Sequence, residues 1–341
     1  KIAKFLLPVI SPFTKNEYTI ENSKSFVEEL RNLEINNSMI MASFDVESLF
    51  TNVPLKETTN IILEKYHPDK LFGIGKNILK KLLEFATSQS IFIFNGNLYN
   101  QVDGISMGSS LGPVYANTFM CFKEVEWLEN CPLDFKPLFY RRYVDDTFLM
   151  FKEYADVAKF LEYLNGKHPN IRFTCEIENN GKLPFLDILI CKNNGNISTS
   201  VYRKPTFTGL GLSWFSFCPD IYKVNSIKTL LNRAYNISSN YLVLHEEIEK
   251  LRSYFINNHY KSETFFKIVR EFLSAKFSII TTHHSVPKLV KYVKLPFYGK
   301  VSFTLRKNLN EILRNEFPAI DFRFIFTNNF TIGSFFSIKD K

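Results

Sequence analysis

The sequence predicts an α+β fold, in which an antiparallel sheet with helices on one face is followed by an all-helical region. Three observations support this. Short apolar and aromatic runs separated by turn residues fill much of residues 1–202, whereas helical periods dominate residues 203–280. Asn95-Gly96 between two apolar runs marks an antiparallel hairpin, since this pair suits the positive φ angles of a type I′ turn. The formal charge also changes sign near residue 203.

The charge is divided unevenly along the chain. The net charge is +8, but residues 1–200 hold 21 basic and 24 acidic residues, whereas residues 201–341 hold 21 basic and 10 acidic residues. A basic second part indicates a polyanionic partner, with nucleic acid favoured over a membrane. The alternative is that the excess charge serves solubility alone.

Composition excludes several classes of protein. With 341 residues, 45% of them hydrophobic and 22% charged, the chain is neither a disordered tail nor a disulfide-stapled miniprotein. Five cysteines without a Cys-x-x-Cys pair predict reduced thiols in an intracellular chain, not a disulfide framework or a zinc site. No apolar run approaches the roughly 18 to 20 residues that span a bilayer, so no membrane association is expected.

The first part alternates predicted strands and helices. An apolar run at 39–46 reads as a buried strand that ends in a carboxylate, Asp45, and Pro54 then suits a helix start. Two aromatic-rich strands meet at Asp145-Asp146. We predict further helices at 55–66, 76–88, 114–128 and 155–164, and further strands at 91–94, 97–99, 171–178, 183–191 and 198–202.

Beyond residue 203 the pattern is helical. Helices are predicted at 224–237, 241–257 and 262–277, the first two joined by Ser238-Ser239-Asn240, residue types that cap helices well. Residues 290–341 have a mixed pattern. The predicted division is therefore 1–202, 203–280 and 281–341.

One group of residues indicates chemistry. Tyr143-Val144-Asp145-Asp146 at a hairpin turn puts two carboxylates side by side, and like charges so close are best explained by a divalent cation. Asp45, at the end of another buried strand, could join them. Three oxygen donors without nearby His or Cys favour Mg²⁺ and suit two-metal phosphoryl transfer. The alternative is an ordinary acidic turn, where Asp is common.

Five blocks in order along the chain resemble the reverse transcriptases of Penelope-like retroelements, relatives of telomerase. Phe-Asp-Val-Glu-Ser-Leu-Phe-Thr-Asn-Val-Pro at 44–54 resembles motif A, and Gly-Ile-Ser-Met-Gly-Ser-Ser-Leu-Gly-Pro-Val-Tyr-Ala-Asn at 104–117 resembles motif B. Tyr-Val-Asp-Asp at 143–146 matches motif C. Lys-Leu-Pro-Phe-Leu-Asp at 182–187 and Tyr-Arg-Lys-Pro-Thr at 202–206 are similar to two later blocks of the family.

The resemblance implies a right-hand polymerase. Residues 1–202 would be the palm with residual fingers, 203–280 a helical thumb or helix-turn-helix-like domain, and 281–341 a C-terminal mixed extension. The implied activity is RNA-directed DNA synthesis with an RNA template, a DNA primer, dNTP and two Mg²⁺ ions, with Mn²⁺ as the alternative metal. A nuclear location is implied by the resemblance alone, and no obligate protein partner is inferred.

The resemblance also assigns roles to residues of the palm. Asp45 and Asp145 would ligate the metals with Asp146 beside them, and the backbone at Val46 would lie under the triphosphate. Phe50 would exclude a ribose 2′-hydroxyl, although read alone it is a core aromatic. The remaining substrate contacts would be Met107, Gly108, which lets the base pair approach the backbone closely, and Gln101, which is equally well explained as a solvated hairpin end.

For the basic second part, two ways of binding nucleic acid remain open. A thumb would contact the backbone and shape of a duplex, whereas a helix-turn-helix would read bases in the major groove. The basic candidates for nucleic-acid contacts are Arg203, Lys204, Lys228, Arg233, Arg252 and Lys261.

The sequence departs from the family in three respects. Ser110 and Gly112 stand where motif B more often has Pro and Ser. Relatives carry a fingers segment upstream and often a GIY-YIG endonuclease domain downstream, so we expect a partial chain. One alternative is a catalytically inactive or domesticated retroelement fragment that binds nucleic acid through residues 203–341. A third hypothesis is a metal-dependent nuclease that uses the same carboxylates.

Overall fold

The structure is a computed structural model that describes residues 1–67, 73–88, 90–193, 195–277 and 289–327. The chain divides into two compact units. The first comprises Lys1–Tyr202 with Ile237–Asn240, and the second comprises Arg203–Asn236 with Tyr241–Lys341. Each unit contains its own clusters of buried apolar side chains.

The first unit alternates helices and strands. Its helices are α1 (Ile2–Ile10), α2 (Ser23–Arg31), α3 (Leu49–Asn52), α4 (Leu55–Lys65), α5 (Lys76–Ser88), α6 (Gly112–Glu129) and α7 (Tyr154–Asn165). Its strands are β1 (Ile40–Val46), β2 (Ile91–Phe94), β3 (Asn97–Asn100), β4 (Phe139–Tyr143), β5 (Asp146–Phe151), β6 (Phe173–Ile177), β7 (Lys182–Phe185), β8 (Ile188–Asn193) and β9 (Asn196–Val201).

A four-stranded antiparallel sheet lies at the centre of this unit. Its strand order is β4-β5-β1-β6, so β1 lies between two strands that are distant from it in sequence. The register between β1 and β5 runs from Ile40 opposite Phe151 to Asp45 opposite Asp146. The C-terminal end of β1 therefore meets the turn between β4 and β5 at one edge of the sheet.

Both faces of the central sheet are covered. On one face, Phe44 of β1 packs against Phe160 of α7 with 6.0 Å between ring centroids, and α6 completes that core. On the other face, Phe148 of β5 contacts Phe26 of α2 and Phe185 of β7 at 5.4 and 5.6 Å. The predicted antiparallel sheet is confirmed, but its second face is covered as well, by α2 and the β7-β8-β9 sheet. This is why β5 is a continuous apolar run instead of an alternating one.

Several element predictions agree closely with the structure. The Asn95-Gly96 turn has φ angles of 50° and 77°, as a type I′ hairpin requires. Helix α5 has the predicted bounds, as do the helices at Tyr241–Asn257 and Ser262–Phe277. Helices α1 and α2, by contrast, are not found by the sequence analysis. Helix α2 carries a capping box formed by Asn22 and Ser25.

The prediction of one strand at 183–191 is wrong, because this segment is a hairpin. Strand β7 ends at Phe185, β8 begins at Ile188, and Leu186 takes a φ of 55° in the turn. Leucine gives no turn signal in a sequence. Tertiary contacts hold the turn instead: the Ser23 hydroxyl donates to the Asp187 carboxylate at 2.6 Å, and the Tyr202 N–H donates to the Asp187 carbonyl at 2.9 Å.

The second unit is built mainly from three helices. They are α8 (Asp220–Ile237), α9 (Tyr241–Asn257) and α10 (Ser262–Phe277), and α8 extends by one residue into the first unit. Their core contains buried side chains from all three helices, including Ile227, Leu251 and Phe265. A smaller element follows, in which β10 (Leu289–Pro296) and β11 (Ile320–Thr327) form a parallel pair connected through α11 (Lys300–Glu316). The rest of the mixed segment at 290–341 lies outside the described residues.

In the link between α8 and α9, the prediction of capping residues fails for the two serines. The hydroxyl oxygens of Ser238 and Ser239 are buried and have no hydrogen-bond partner among the described residues, so they do not cap a helix. The link is fixed on β9 instead. The Ser239 N–H donates to the Thr199 carbonyl at 3.0 Å, and the Thr199 hydroxyl donates to the Ile237 carbonyl at 2.6 Å.

Candidate active site

The edge where β1 meets the β4-β5 turn brings three carboxylate-bearing residues together. Asp45 pairs with Asp146 across the two strands, and the Val46 N–H donates to the Asp145 carbonyl at 3.2 Å. Paired positions on antiparallel strands share one face of a sheet. The structure therefore brings Asp45 to the adjacent residues Asp145 and Asp146, although they follow it by about 100 residues in the sequence.

The turn that carries this pair has an unusual backbone. Tyr143 pairs with Asp146, so Val144 and Asp145 form a two-residue turn, and Val144 has a φ of 58°. A positive φ at the first central position is typical of a type II′ turn, where Gly normally stands. For a β-branched residue such a conformation costs roughly 1–3 kcal/mol, and it persists only where the surrounding structure enforces it.

The carboxylates at this edge affect one another electrostatically. Partial loss of hydration, followed by the charges of Asp145 and Glu47, raises the pKa of Asp45 above its ordinary value. Mutual repulsion of this kind is relieved by a bound cation.

The donor set suits magnesium. In the part of the chain that the structure describes, no three or more His, Cys, Asp or Glu side chains form a ready metal cage. Mg²⁺ does not need one, because it binds through one or two carboxylates and completes its shell with waters and substrate phosphates. Asp45 and Asp145 fit that requirement.

Behind the turn lies a buried ionic network. Arg142 and Glu124 are almost fully buried, and two nitrogens of the guanidinium donate to the carboxylate at 2.6 and 2.8 Å. The Asn16 amide and the Tyr140 hydroxyl donate to the same carboxylate at 2.6 and 3.2 Å. Burial raises the pKa of Tyr140 well above its usual range, so this hydroxyl keeps its proton. This network has no signature in the sequence, because burial is a property of the fold.

Motif A packs directly on the Gly/Ser-rich loop at 104–110, with which motif B begins. The Ile105 N–H donates to the Phe50 carbonyl at 2.7 Å, and the half-buried Phe50 ring lies against Gly112. Gly104 has a φ of 70°, and a Cβ there would lie 2.2 Å from the Thr51 carbonyl oxygen. Gly104 is thus a structural requirement of the site that the sequence analysis did not single out, although it opens motif B.

The other predicted substrate contacts lie on or beside this loop. Met107 is exposed, and Gly108 has a φ of 89° with open space where a Cβ would stand. The left-handed backbone therefore requires Gly at 108, whereas close packing within the chain does not. Gln101 lies at the end of the β2-β3 hairpin. Its side-chain amide donates to the Asp103 carbonyl at 2.8 Å, and its backbone N–H donates to the Ser90 carbonyl at 2.9 Å.

The basic candidates of the second unit differ in their surroundings. Arg203 donates from both terminal nitrogens to Glu247, whose side chain is buried, so its charge is already balanced inside the protein. Arg252 pairs with Glu249 at 3.2 Å and lies over the Phe266 ring. The side chains of Lys204, Lys228 and Lys261 are exposed, and Arg233 is half-buried with interactions of its own.

Lys228 belongs to a groove between two helices of this unit. Asn225, Lys228, Thr229 and Asn232 follow one stripe of α8, and α10 supplies the opposite wall of a cavity of about 770 Å³. Lys276 in that wall donates to the Asn232 amide oxygen at 3.0 Å. Two lysines, Lys228 and Lys276, and one acidic residue, Glu271, thus line the same groove.

Two family profiles match this chain. One, described as reverse transcriptase (RNA-dependent DNA polymerase), matches residues 1–174, and the other, described as animal helix-turn-helix domain, matches residues 211–270. Comparison with curated proteins gave no match. No helix among the described residues has the length and apolarity needed to cross a membrane.

Solved telomerase structures resemble the chain. Telomerase from Candida albicans, in complex with a TWJ fragment of telomeric RNA, matches with a TM-score of 0.53 at 12% identity, over 80% of this chain and 51% of that one. Apo telomerase from Candida tropicalis matches with a TM-score of 0.48 at 13% identity, over 81% and 49%. The chain thus spans about half the length of these proteins.

These comparisons establish the fold and the family of the chain. The Candida albicans structure shares the fold, which confirms the predicted mixed helix-and-sheet polymerase architecture. The reverse transcriptase profile covers more than half of the chain, and Asp45, Asp145 and Asp146 lie within it. The chain therefore belongs to the reverse transcriptase (RNA-dependent DNA polymerase) family.

Proposed function

We propose that the chain is the catalytic part of a Penelope-like retroelement reverse transcriptase, which copies an RNA template onto the 3′-hydroxyl of a DNA primer. The single observation that carries this proposal is the pairing of Asp45 with Asp146 beside Asp145, at the edge where β1 meets the β4-β5 turn. The five motif blocks of the sequence support the narrower assignment to Penelope-like elements. Such an enzyme would act on genomic DNA in the nucleus.

In this proposal the site binds two Mg²⁺ ions, for which Mn²⁺ can substitute. Asp45 and Asp145 would hold the ions, with Asp146 and the Val46 backbone beside them. When bound, the ions would activate the primer hydroxyl and neutralise charge that develops on the triphosphate. The protein's part is to hold these oxygen atoms in place, and the Val46 N–H bond to the Asp145 carbonyl contributes to that.

The nucleotide would be selected by Phe50 and the motif B loop. The Phe50 ring is packed against Gly112, and its backbone is tied to Ile105, so it is a rigid wall well suited to rejecting a ribose 2′-hydroxyl. Met107 and Gly108 are exposed on the adjoining loop, where a template base pair could approach. Gln101 would complete this surface.

The test is primer extension on an RNA template with Mg²⁺ and dNTP. Asp145→Asn keeps the size of the side chain but removes a metal-binding charge, so we expect the extension rate to fall at least ~100-fold, as loss of several kcal/mol of transition-state stabilisation requires. Asp134→Asn is the matched control, because Asp134 is exposed and lies in the segment between α6 and β4, outside the β4-β5 turn. This variant should extend the primer at the wild-type rate.

Three results would change the assignment. Equal extension by Asp145→Asn and wild type would overturn the catalytic role of the carboxylates. Shortening of labelled duplex in place of extension would favour the nuclease. If the wild type bound duplex without extending a primer, the basic excess of residues 201–341 would favour a domesticated nucleic-acid-binding protein.

A further inference from the structure

Arg142 stands directly before the catalytic tetrad and is completely buried. Its side chain has no exposure to solvent. Its backbone is hydrogen-bonded on both sides: the Arg142 N–H donates to the Tyr18 carbonyl, and the Ile20 N–H donates to the Arg142 carbonyl, both at 2.8 Å. The guanidinium thus projects from a fixed point. Burying a charged pair is expensive and does not by itself make a protein more stable than apolar packing would.

The guanidinium divides its donors between the protein interior and the turn. Nε and Nη2 donate to Glu124, while Nη1 donates to the Asn117 amide oxygen at 3.0 Å and to the Val144 carbonyl at 2.8 Å. Glu124 is fixed in turn by Asn16 and Tyr140. A planar, multiply bonded arginine has little freedom to move, so the position of the Val144 carbonyl is set by the interior of the protein.

The Val144 carbonyl belongs to the peptide plane that leads into Asp145. On the other side of Asp145, its own carbonyl accepts from the Val46 N–H at 3.2 Å. Each of the two peptide planes that flank the Asp145 Cα is therefore held by a hydrogen bond, one from Arg142 and one from Val46 of β1. The Arg142 bond therefore opposes relaxation of the left-handed Val144 backbone, together with the packing of the Val144 side chain against the core.

We propose that Arg142, charge-balanced by buried Glu124, is a positioning residue that locks the Val144–Asp145 peptide and thereby aims the Asp145 carboxylate. This inference rests on the proposed polymerase function. It assigns a role in the reaction to a side chain that touches neither substrate nor metal.

The test must remove the hydrogen bond from Arg142 to the Val144 carbonyl without leaving an unpaired buried charge. The double variant Arg142→Met with Glu124→Met replaces the pair by apolar side chains, and such replacements usually preserve folding. We expect kcat for primer extension to fall about 10- to 100-fold, because small displacements of a catalytic group cost that much. KM for dNTP and the Kd for primer–template should change less than about threefold.

The matched control is Lys192→Met with Glu178→Met. This pair is also buried in the first unit, with side-chain exposures of 8% and 10%, but it contacts the Met39 and Met41 backbone and not the turn. Its kcat should stay within about twofold of wild type. Arg142→Lys with Glu124 unchanged should have a higher kcat than the Arg142→Met/Glu124→Met variant but a lower kcat than the wild type, since Lys lacks the forked donor geometry.

A second readout does not depend on turnover. Amide hydrogen exchange of peptides covering residues 143–147 should speed up at least about 10-fold in the Arg142→Met/Glu124→Met variant and remain unchanged in the control pair. Unchanged exchange, or kcat equal to wild type in the double variant, would overturn the inference. If wild type does not extend a primer although exchange changes as expected, the proposed function fails while the turn-holding role of Arg142 stands.

Discussion

At the scale of single residues, Gly104 shows how closely motif A and motif B depend on each other. The residue combines a φ of 70° with backbone contact to Thr51, so both its conformation and its lack of a side chain matter. Phe50 precedes Thr51, and Ile105 follows Gly104. A side chain at 104 would therefore push apart the two segments that form the proposed nucleotide site.

We predict that Gly104→Ala destabilises the first unit by at least ~2 kcal/mol, from the added backbone strain and steric overlap. Urea unfolding followed by Trp127 fluorescence, in a Trp214→Phe background, measures this. Gly112→Ala is the control, because a Cβ there would meet its nearest atoms, the Ser106 carbonyl oxygen and the Phe50 ring, at 3.5 and 3.6 Å, which is ordinary van der Waals contact. It should change stability by no more than about 1 kcal/mol. Equal stability of the two variants would contradict the close approach seen at Gly104.

At the scale of elements, helix α9 carries two acidic residues whose ion pairs differ in burial. Glu247 is buried and receives two hydrogen bonds from Arg203, whereas Glu249 is 42% exposed and pairs with Arg252. Closeness in sequence therefore does not show how much each ion pair contributes to stability. Burial decides it, because water screens one pair and is excluded from the other.

Glu247→Ala should destabilise the second unit by about 3 kcal/mol, since it leaves the partly buried Arg203 uncompensated. Glu249→Ala, on the same helix, should cost no more than ~0.5 kcal/mol. Thermal unfolding followed by Trp214 fluorescence in a Trp127→Phe background distinguishes the two. If both substitutions cost the same, burial would not decide how much these two ion pairs contribute to stability.

Tertiary contacts also decide which strands a local sequence pattern can predict. Period-two and apolar patterns predicted β1, β4 and β5 well, because these strands are bounded by clear polar or turn residues. The β7-β8 hairpin escaped prediction because its turn is Leu186-Asp187, fixed by Ser23 from a distant helix. Helices α1 and α2 were missed for a related reason: their apolar stripes are short and have meaning only against the core that they cover.

At the scale of the whole molecule, charge separates the two parts of the sequence. Residues 201–341 carry the basic excess, and the groove beside Lys228 and Lys276 in the second unit concentrates part of it. Binding of nucleic acid through such a surface releases counterions and is sensitive to salt.

We predict that Lys228→Gln reduces the slope of log K against log salt for duplex binding by roughly 0.9, as loss of one phosphate contact requires. Fluorescence anisotropy with a labelled RNA–DNA duplex, across a salt series without Mg²⁺, gives the slope. Lys15→Gln is the control, because Lys15 pairs with Glu21 on the surface of the first unit. An unchanged slope for Lys228→Gln would remove this groove from the nucleic-acid surface.

Local patterns in the sequence predicted the motif order, the α+β class, the hairpin turns with Asn-Gly or acidic residues, and the metal-binding candidates. These follow from local rules, in which a residue's own chemistry and its near neighbours suffice. The folded chain was needed to show that β1 enters between β5 and β6, that Gly104 lies on Thr51, that Arg203 is balanced by Glu247, and that Arg142 holds Val144. These depend on contacts between segments far apart in the chain, and burial sets the strength of each.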